Sequence, residues 1–171
     1  MEAIALQPRA VLDGSVTLEV PSDFQVMSQA MREQRYAAGQ RPSLVLTNES
    51  GDVNIAFNLT GNPMTLEQLP DFQRQMAALF RAQVESDDWI DSPTVRISGL
   101  DWFTIEMRIE AFDTKVWNLI AGTSFNGRLL LISFNATMDQ EARWKPACRR
   151  MLESIQLAAE PLEQPEVSAA N

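Results

Sequence analysis

The sequence predicts an α+β fold in which one antiparallel sheet of about six or seven strands is packed by two helices. Three observations lead to this prediction. Residues 101–112 alternate between apolar and polar side chains, which is the period of a half-buried strand. Asn126-Gly127 is the strongest hairpin signal, because a type I′ turn needs positive φ at both central residues. Residues 65–85 carry one apolar stripe at helical spacing, as expected of a helix that lies on a sheet.

Three consecutive strands between Leu100 and Thr137 form the centre of the predicted sheet. Two-residue turns at Asp113-Thr114 and Asn126-Gly127 would determine which side chains share a face. One face would carry Phe103, Ile105, Met107, Ile109 and Ala111 with Val116, Asn118, Ile120, Leu129 and Leu131. The other would carry Glu106, Arg108 and Glu110 with Trp117, Leu119, Leu130, Ile132 and Phe134. The third strand is apolar on both faces, so we expect it to be central and covered twice. The first has one charged face, which we expect to meet solvent or a partner.

The other strands and helices follow from shorter signals. Strands are predicted at 10–12, 15–20, 44–47, 53–59 and 94–98, the first two around the hairpin dipeptide Asp13-Gly14. Ser28 is predicted to cap a short helix that ends at Tyr36, and Thr65 with Gln68 fits a capping box for the 65–85 helix.

The segments at the two ends of the chain have weaker patterns. Residues 138–145 are expected to be a turn or an irregular helical segment, and Pro146 fits the first turn of a final helix that ends at 155. Residues 1–9 are predicted to be a flexible N-terminus, 10–157 one domain, and 158–171 an acidic disordered tail.

Composition argues against several classes of function. The formal net charge is −9, and nucleic-acid binding needs basic charge, so no nucleic-acid partner is expected. The chain has no histidine and one cysteine, so we expect no metal and no cofactor. No window approaches 18 apolar residues, which predicts no membrane span. The first residues lack the apolar segment of a signal peptide and predict a cytoplasmic protein; if a signal peptide has been removed, the prediction becomes periplasm or envelope.

Three groups of residues could carry chemistry, and each has a simpler structural interpretation. The acidic loop contains Glu85, Asp87, Asp88 and Asp91. Its carboxylates suit a hard cation but lack the spacing of a calcium loop, which favours a solvated loop. Cys148 lies on an apolar helix face and is interpreted as a buried small hydrophobe. Lys115 or Lys145 could activate a hydroxyl nucleophile, but no spacing points to either, so we predict that the protein is not an enzyme.

Several segments resemble the bacterial DcrB-like and PsbP-like α/β proteins: RPSLVLTNESGDVNIAFNLT (41–60), DTKVWNLI, NGRLLLISFNAT and RWKP. The similarity covers roughly residues 12–157 and implies a twisted antiparallel sheet with helices on both faces. That superfamily includes envelope lipoproteins, photosystem-associated subunits and the Eag chaperones, which hold hydrophobic segments of type VI secretion effectors. The shared motifs are turns and core strands, so the resemblance transfers no functional residue.

The charged face of the central strands is the candidate partner-binding site. It is predicted to include Trp102, Phe112, Trp117, Glu106, Arg108 and Glu110. Aromatic side chains beside charged ones are typical of protein interfaces. Two structural alternatives stay open, namely a cross-strand charge ladder and a helix that covers the aromatic residues.

These observations predict a non-enzymatic protein-binding or chaperone- and adaptor-like module of a bacterial cell, with a link to secretion. The expected partner is a protein or a hydrophobic protein segment, and a homodimer stays open. The alternatives are a small-ligand-binding protein, with a pocket between sheet and helix, and a structural envelope protein.

Overall fold

The computed structural model describes residues 3–36, 38, 41–111 and 114–158, which form eleven strands and three α-helices. The strands are β1 (Gln7–Val11), β2 (Val16–Val20), β3 (Gln25–Val26), β4 (Leu44–Thr47), β5 (Val53–Pro63), β6 (Trp89–Asp91), β7 (Thr94–Ile97), β8 (Leu100–Ala111), β9 (Thr114–Phe125), β10 (Arg128–Thr137) and β11 (Gln156–Leu157). The helices are α1 (Gln29–Arg35), α2 (Leu69–Arg81) and α3 (Met138–Glu153). Residues 159–171, which include nearly all of the predicted tail, lie outside the described residues.

Eight strands form one antiparallel sheet in the order β3-β4-β5-β10-β9-β8-β6, and β7 pairs with β8 as well. The antiparallel α+β architecture is confirmed, and β10 lies in the interior of the sheet between β5 and β9, as its two apolar faces predict. The sheet is larger than predicted, because β3 and β6 have two and three residues and are too short to show a periodicity. A second sheet of three strands, β1-β2-β11, also departs from the predicted single sheet.

The register of the central hairpins determines which side chains share a face. Arg128 pairs with Phe125 across Asn126-Gly127, where φ is 53° and 74°, as a type I′ turn requires. Ala111 pairs with Thr114, so Thr114 belongs to β9 and not to the predicted turn. The pairing therefore differs from the prediction by two residues. This difference leaves the predicted faces unchanged, because side chains along a strand alternate with a period of two.

Two hydrophobic clusters hold these elements together. The larger one joins the Trp117 face of the large sheet to α3 and to the three-stranded sheet. The smaller one joins the Phe103 face to α2, where the Phe72 ring centroid lies 5.7 Å from that of Phe103. Helix α2 therefore covers the β8 side of one face, while α3 packs across β9 and β10 on the other.

Helix α3 has 16 residues and is longer than the sequence predicts, since it begins at Met138 and carries Pro146 in its interior. The segment before the proline is helical because Asp139 and Glu141 stand in the first turn, where carboxylates favour the positive end of the helix dipole. Trp144 from this segment and Met151 from the segment after the proline are both buried against the large sheet. Packing of this continuous apolar face outweighs the hydrogen bond that Pro146 cannot donate.

Smaller differences also have local causes. The capping box of Thr65 and Gln68 and the Ser28 cap are confirmed, but α2 ends at Arg81 instead of 85. Strand β5 continues to Pro63, where its register with β10 shifts near Arg128; such an irregularity accommodates a proline.

Gly122 in β9 is expected to resist substitution, because it lies directly opposite Phe103 on β8. A Cβ atom at this position would overlap Cε2 and Cζ of Phe103 and lie 3.0 Å from Cδ2 of Leu131. We expect Gly122→Ala to lower the free energy of unfolding by about 1–2 kcal/mol, measured by urea denaturation. Combining it with Phe103→Leu should recover part of that loss. Strictly additive effects of the two substitutions would contradict the steric explanation.

Candidate functional site

The face predicted to be uncovered is buried under α3. Trp102 is 1% exposed, Trp117 is 0% exposed and Glu106 is 3% exposed, so the expectation that this face is open to solvent is wrong for these three residues. Arg108 is partly buried and Glu110 is exposed, whereas Phe112 lies outside the described residues. The open alternative that a helix covers the aromatic side chains is therefore correct for Trp117, which lies under Lys145 of α3, while Trp102 is buried in the same cluster.

The charged residues of this face pair with α3. Glu106 Oε2 accepts hydrogen bonds from Trp117 Nε1 and from Lys145 Nζ, both at 2.8 Å, and Glu106 Oε1 accepts one from Arg149 Nη2 at 2.5 Å. Arg108 donates two hydrogen bonds of 2.8 Å to Glu141. The interpretation as a cross-strand charge ladder is corrected by these contacts, which attach β8 to α3.

Burial alone would raise the pKa of the Glu106 carboxyl group. The hydrogen bonds from Lys145 and Trp117, together with the positive charges of Arg149 and Lys145, outweigh burial, so that its pKa lies below its ordinary value. Glu106 is therefore an ionised carboxylate at neutral pH. Its contacts stabilise the attachment of α3 to the sheet.

The residues considered for chemistry are engaged in structural roles. Cys148 is buried, and burial raises the pKa of its thiol to about 12, so the interpretation as a small hydrophobe is confirmed. Lys145 is bound to Glu106, and Lys115 Nζ lies 2.7 Å from Oδ2 of Asp88. Asp88 is 6% exposed, so it is the buried member of a partly buried ion pair and is not solvated as the loop was predicted to be.

The face of the sheet that is partly exposed is the opposite one. Along β9 and β10, side chains toward α3 are buried, including Trp117, Leu119, Leu130, Ile132 and Phe134, whereas Val116, Asn118, Ile120, Leu131, Ser133 and Asn135 alternate with them and are partly exposed. Ala56 and Asn58 on β5 continue this surface, and the neighbouring Asn54 is buried. These nine residues are called the open face. A period of two in burial shows that α2 and α1 leave this surface incompletely covered.

The open face is uncharged. None of its nine residues is acidic or basic, in a chain that has 14 basic and 23 acidic residues. The amides of Asn118, Asn135 and Asn54 form a row across three adjacent strands, because Asn135 pairs directly with both of the others. Asparagine is depleted in strands, so three in one row depart from local preference, as is common at functional sites.

Hydrogen bonds fix the orientation of this row and leave one acceptor unused. Asn54 Nδ2 donates to Asn135 Oδ1 at 3.0 Å and to Gly51 O at 3.3 Å. Both partners are oxygen atoms that accept, so the amide nitrogen of Asn54, and not its oxygen, must face them. Asn54 Oδ1 is buried and receives no hydrogen bond within the described part of the chain. Buried acceptors without a hydrogen bond are uncommon in folded proteins.

Two elements border the open face. Helix α2 packs over Phe103 and Met107 on the β8 side. On the other side, Tyr36 at the end of α1 interacts with Asn135; burial raises the pKa of the Tyr36 hydroxyl, against the charge of Arg35 and this hydrogen bond. The uncharged surface of β9, β10 and β5 therefore lies beside α2 and is partly covered by Tyr36 at Asn135.

Sequence reasoning assigned Val116, Asn118, Ile120 and Leu131 to one face but did not recognise a site there. The usable signal was the absence of charge, since the same counting that places Asn118 and Ile120 together also places Glu106 and Arg108 on the other face. The charges of Glu106 and Arg108 led instead to the prediction of a site on the face that α3 covers.

The fold is similar to those of several solved structures. The solution structure of cyanobacterial PsbP (CyanoP) from Synechocystis sp. PCC 6803 matches with a TM-score of 0.63 and 15% identity, over 92% of this chain and 95% of that chain. LpqN of Mycobacterium tuberculosis, described as involved in cell envelope biogenesis, matches with a TM-score of 0.54 and 14% identity, over 91% of each chain. A protein from Bacteroides thetaiotaomicron matches with a TM-score of 0.57 and 11% identity, over 90% of this chain and 48% of that one.

No protein-family model and no curated protein matches the sequence. No helix in the described ranges is long and apolar enough to cross a membrane. Identities of this size show the fold alone, so the DcrB-like and Eag relationships stay predictions. The chain has a PsbP-like fold.

Proposed function

We propose that this protein is a non-enzymatic binding module whose open face holds an uncharged segment of a protein partner. One observation carries the proposal: the exposed side of β9 and β10 is a continuous surface without any charged residue. Surfaces of soluble proteins are ordinarily rich in charge, and depletion of charge is the compositional signal of an interface core.

The chemistry of the open face selects the kind of segment. Asparagine amides offer both donors and acceptors, which suit the N–H and C=O groups of a polypeptide backbone. Ile120, Leu131 and Val116 offer apolar contact to its side chains. A charged side chain placed on this surface would lose water without gaining an ionic partner, which disfavours charged segments by several kcal/mol. An uncharged, partly apolar segment is the occupant that fits.

Other observations support a binding role. Cys148, Lys115 and Lys145 are each held in contacts that oppose nucleophilic or general-base chemistry. LpqN, which shares the fold, is described as involved in cell envelope biogenesis, and this motivates the proposal of a place in the envelope.

The proposal is tested by placing a charge at the centre of the open face. Ser133 lies opposite Ile120 and Ala56 and is partly exposed, so Ser133→Lys should be tolerated by the fold. Gln75→Lys on the exposed side of α2 is the matched control, since it adds the same charge away from the site. Each form is used to capture partners from extracts of the source organism, at about 0.1 M and about 1 M salt.

We expect a partner that wild type and Gln75→Lys retain at both salt concentrations and that Ser133→Lys loses by about tenfold or more. In a second measurement, arrays of short uncharged peptides should bind wild type, and the same peptides with a central lysine or glutamate should bind much more weakly. Retention of the partner by Ser133→Lys, or equal binding of charged peptides, would refute the site. Self-association that Ser133→Lys abolishes would identify a homodimer interface instead.

A further inference from the structure

A small cleft lies on the other side of the large sheet from the open face. It has a volume of about 280 Å³ and is bounded by α3, by β8 and by the segment of β6 and β7. Apolar side chains form most of its wall, namely Ile90, Val95, Ile97, Leu119 and Leu152. Ligand sites typically combine such a wall with a few convergent polar groups, and volumes near 300 Å³ are at the small end of their range.

Charged side chains also line this cleft, and two of them come from successive turns of α3. Arg149 and Glu153 both line it, four residues apart and hence on the same side of the helix. Arg149 donates to Glu106 and not to Glu153. Glu153 is exposed and makes no ion pair among the described residues. A cation and an unpaired carboxylate therefore stand side by side above an apolar wall.

The charge of Arg149 is only partly neutralised by Glu106. That carboxylate is shared between Arg149 and Lys145, so the three groups together carry a net charge of +1. One Arg149 nitrogen is bound to Glu106, the side chain is 48% exposed, and a guanidinium has five N–H donors. Arg149 therefore keeps donors for a carboxylate that enters the cleft.

We propose that this cleft binds a free α-amino acid with an apolar side chain. The ligand carboxylate pairs with Arg149, its ammonium group pairs with Glu153, and its side chain contacts Leu119 and Ile97. Asp91 of β6 also lines the cleft and supplies a second carboxylate. Arg96 also lines the cleft, but its guanidinium is bound to Asp101 at 2.8 Å and to Gly99 O.

The same arrangement disfavours ligands with a single charge. A simple carboxylate would leave Glu153 and Asp91 beside it without a cation, and a simple amine would leave Arg149 unpaired. The volume excludes large ligands, since a cleft of about 280 Å³ cannot enclose a drug-sized molecule.

Isothermal titration calorimetry tests the proposal with L-leucine and two analogues, 4-methylpentanoate, which lacks the ammonium group, and 3-methylbutylamine, which lacks the carboxylate. We expect L-leucine to bind wild type and each analogue to bind at least about tenfold more weakly, as for the loss of one charge-assisted contact. Arg149→Gln should weaken leucine about tenfold without weakening the amine. Glu153→Gln should weaken leucine similarly without weakening the carboxylate analogue.

Arg143→Gln, an exposed arginine of the same helix that does not line the cleft, is the matched control and should bind leucine as wild type does. The proposal is overturned if neither leucine nor phenylalanine binds, or if either analogue binds as tightly as leucine. Arg149 also holds Glu106, so its variant must first show an unchanged near-UV circular dichroism spectrum. Glu153→Gln and the two analogues decide the matter without it. Ser133→Lys should leave leucine binding unchanged, which separates this site from the open face.

Discussion

Replacing Trp117 with alanine is expected to lower the free energy of unfolding by about 3–5 kcal/mol, the range of large-to-small substitutions of buried aromatic residues. The indole is 0% exposed in the larger cluster, its Nε1 donates to Glu106 at 2.8 Å, and Lys145 Nζ lies 6.0 Å from its ring centroid. Removal therefore creates a cavity under α3 and takes a donor from a buried carboxylate. Because small domains have about 5–15 kcal/mol of stability, this loss is large enough to leave part of the protein unfolded.

Two further variants show whether the loss of stability is specific to the position of Trp117 or would follow the removal of any tryptophan. Trp117→Phe keeps a ring but loses the indole donor, and we expect it to cost about 1–3 kcal/mol. Trp89→Ala removes a partly buried tryptophan that packs on α2 with Arg81 at 5.0 Å, and it should cost less than Trp117→Ala. Guanidinium denaturation followed by circular dichroism measures all three. If Trp117→Ala cost less than about 1 kcal/mol, the residue would be an exposed interface residue, as the sequence suggested, and the covering position of α3 would be wrong.

The faces of the central strands were predictable because register and alternation are local properties. Asn126-Gly127 specifies one turn, and a period of two then carries the assignment from Phe103 to Leu131 even where the β8–β9 pairing differs by two residues. What covers each face is not local. Helix α3 reaches the Trp117 face through a segment that looks irregular in the sequence because Pro146 interrupts it, and only tertiary packing holds that segment helical.

The same limit explains the error about which face of the sheet is exposed. Charges on a strand usually indicate solvent, so Glu106 and Arg108 suggested an exposed site. Each is instead matched by an opposite charge on α3, at spacings that can be recognised only once that helix has been placed. The open face was inconspicuous because asparagine, serine and isoleucine on alternate positions look like an ordinary half-buried strand. The surface is recognised only when β5, β10 and β9 lie side by side. The two predicted hairpins join β8, β9 and β10 and do not show that β5 pairs with β10.

Replacing Glu106 with glutamine is expected to cost about 2–3 kcal/mol at neutral pH, since hydrogen bonds to a charged group contribute about 1.5–3 kcal/mol each. The amide keeps an acceptor for Trp117 Nε1 but removes the charge that Lys145 and Arg149 share. Both cations are partly exposed, at 29% and 48%, so they regain water and the cost stays below that of breaking a fully buried pair. Glu110→Gln is the matched control, because Glu110 lies on the same face of β8 and is exposed; it should change stability by less than about 0.5 kcal/mol.

The pH dependence of this difference identifies its cause. The pKa of Glu106 is lower in the folded protein than its ordinary value of 4.5, so the unfolded chain takes up the proton first as the pH falls. The stabilisation from Glu106 is therefore fully present above about pH 4.5 and is lost as the pH falls through the folded pKa. The gap in stability between wild type and Glu106→Gln should consequently be constant from pH 7 to about pH 5 and shrink below that. A gap that widened on acidification would mean that burial dominates the pKa of Glu106 and that the carboxyl group joins α3 to the sheet as a neutral acid.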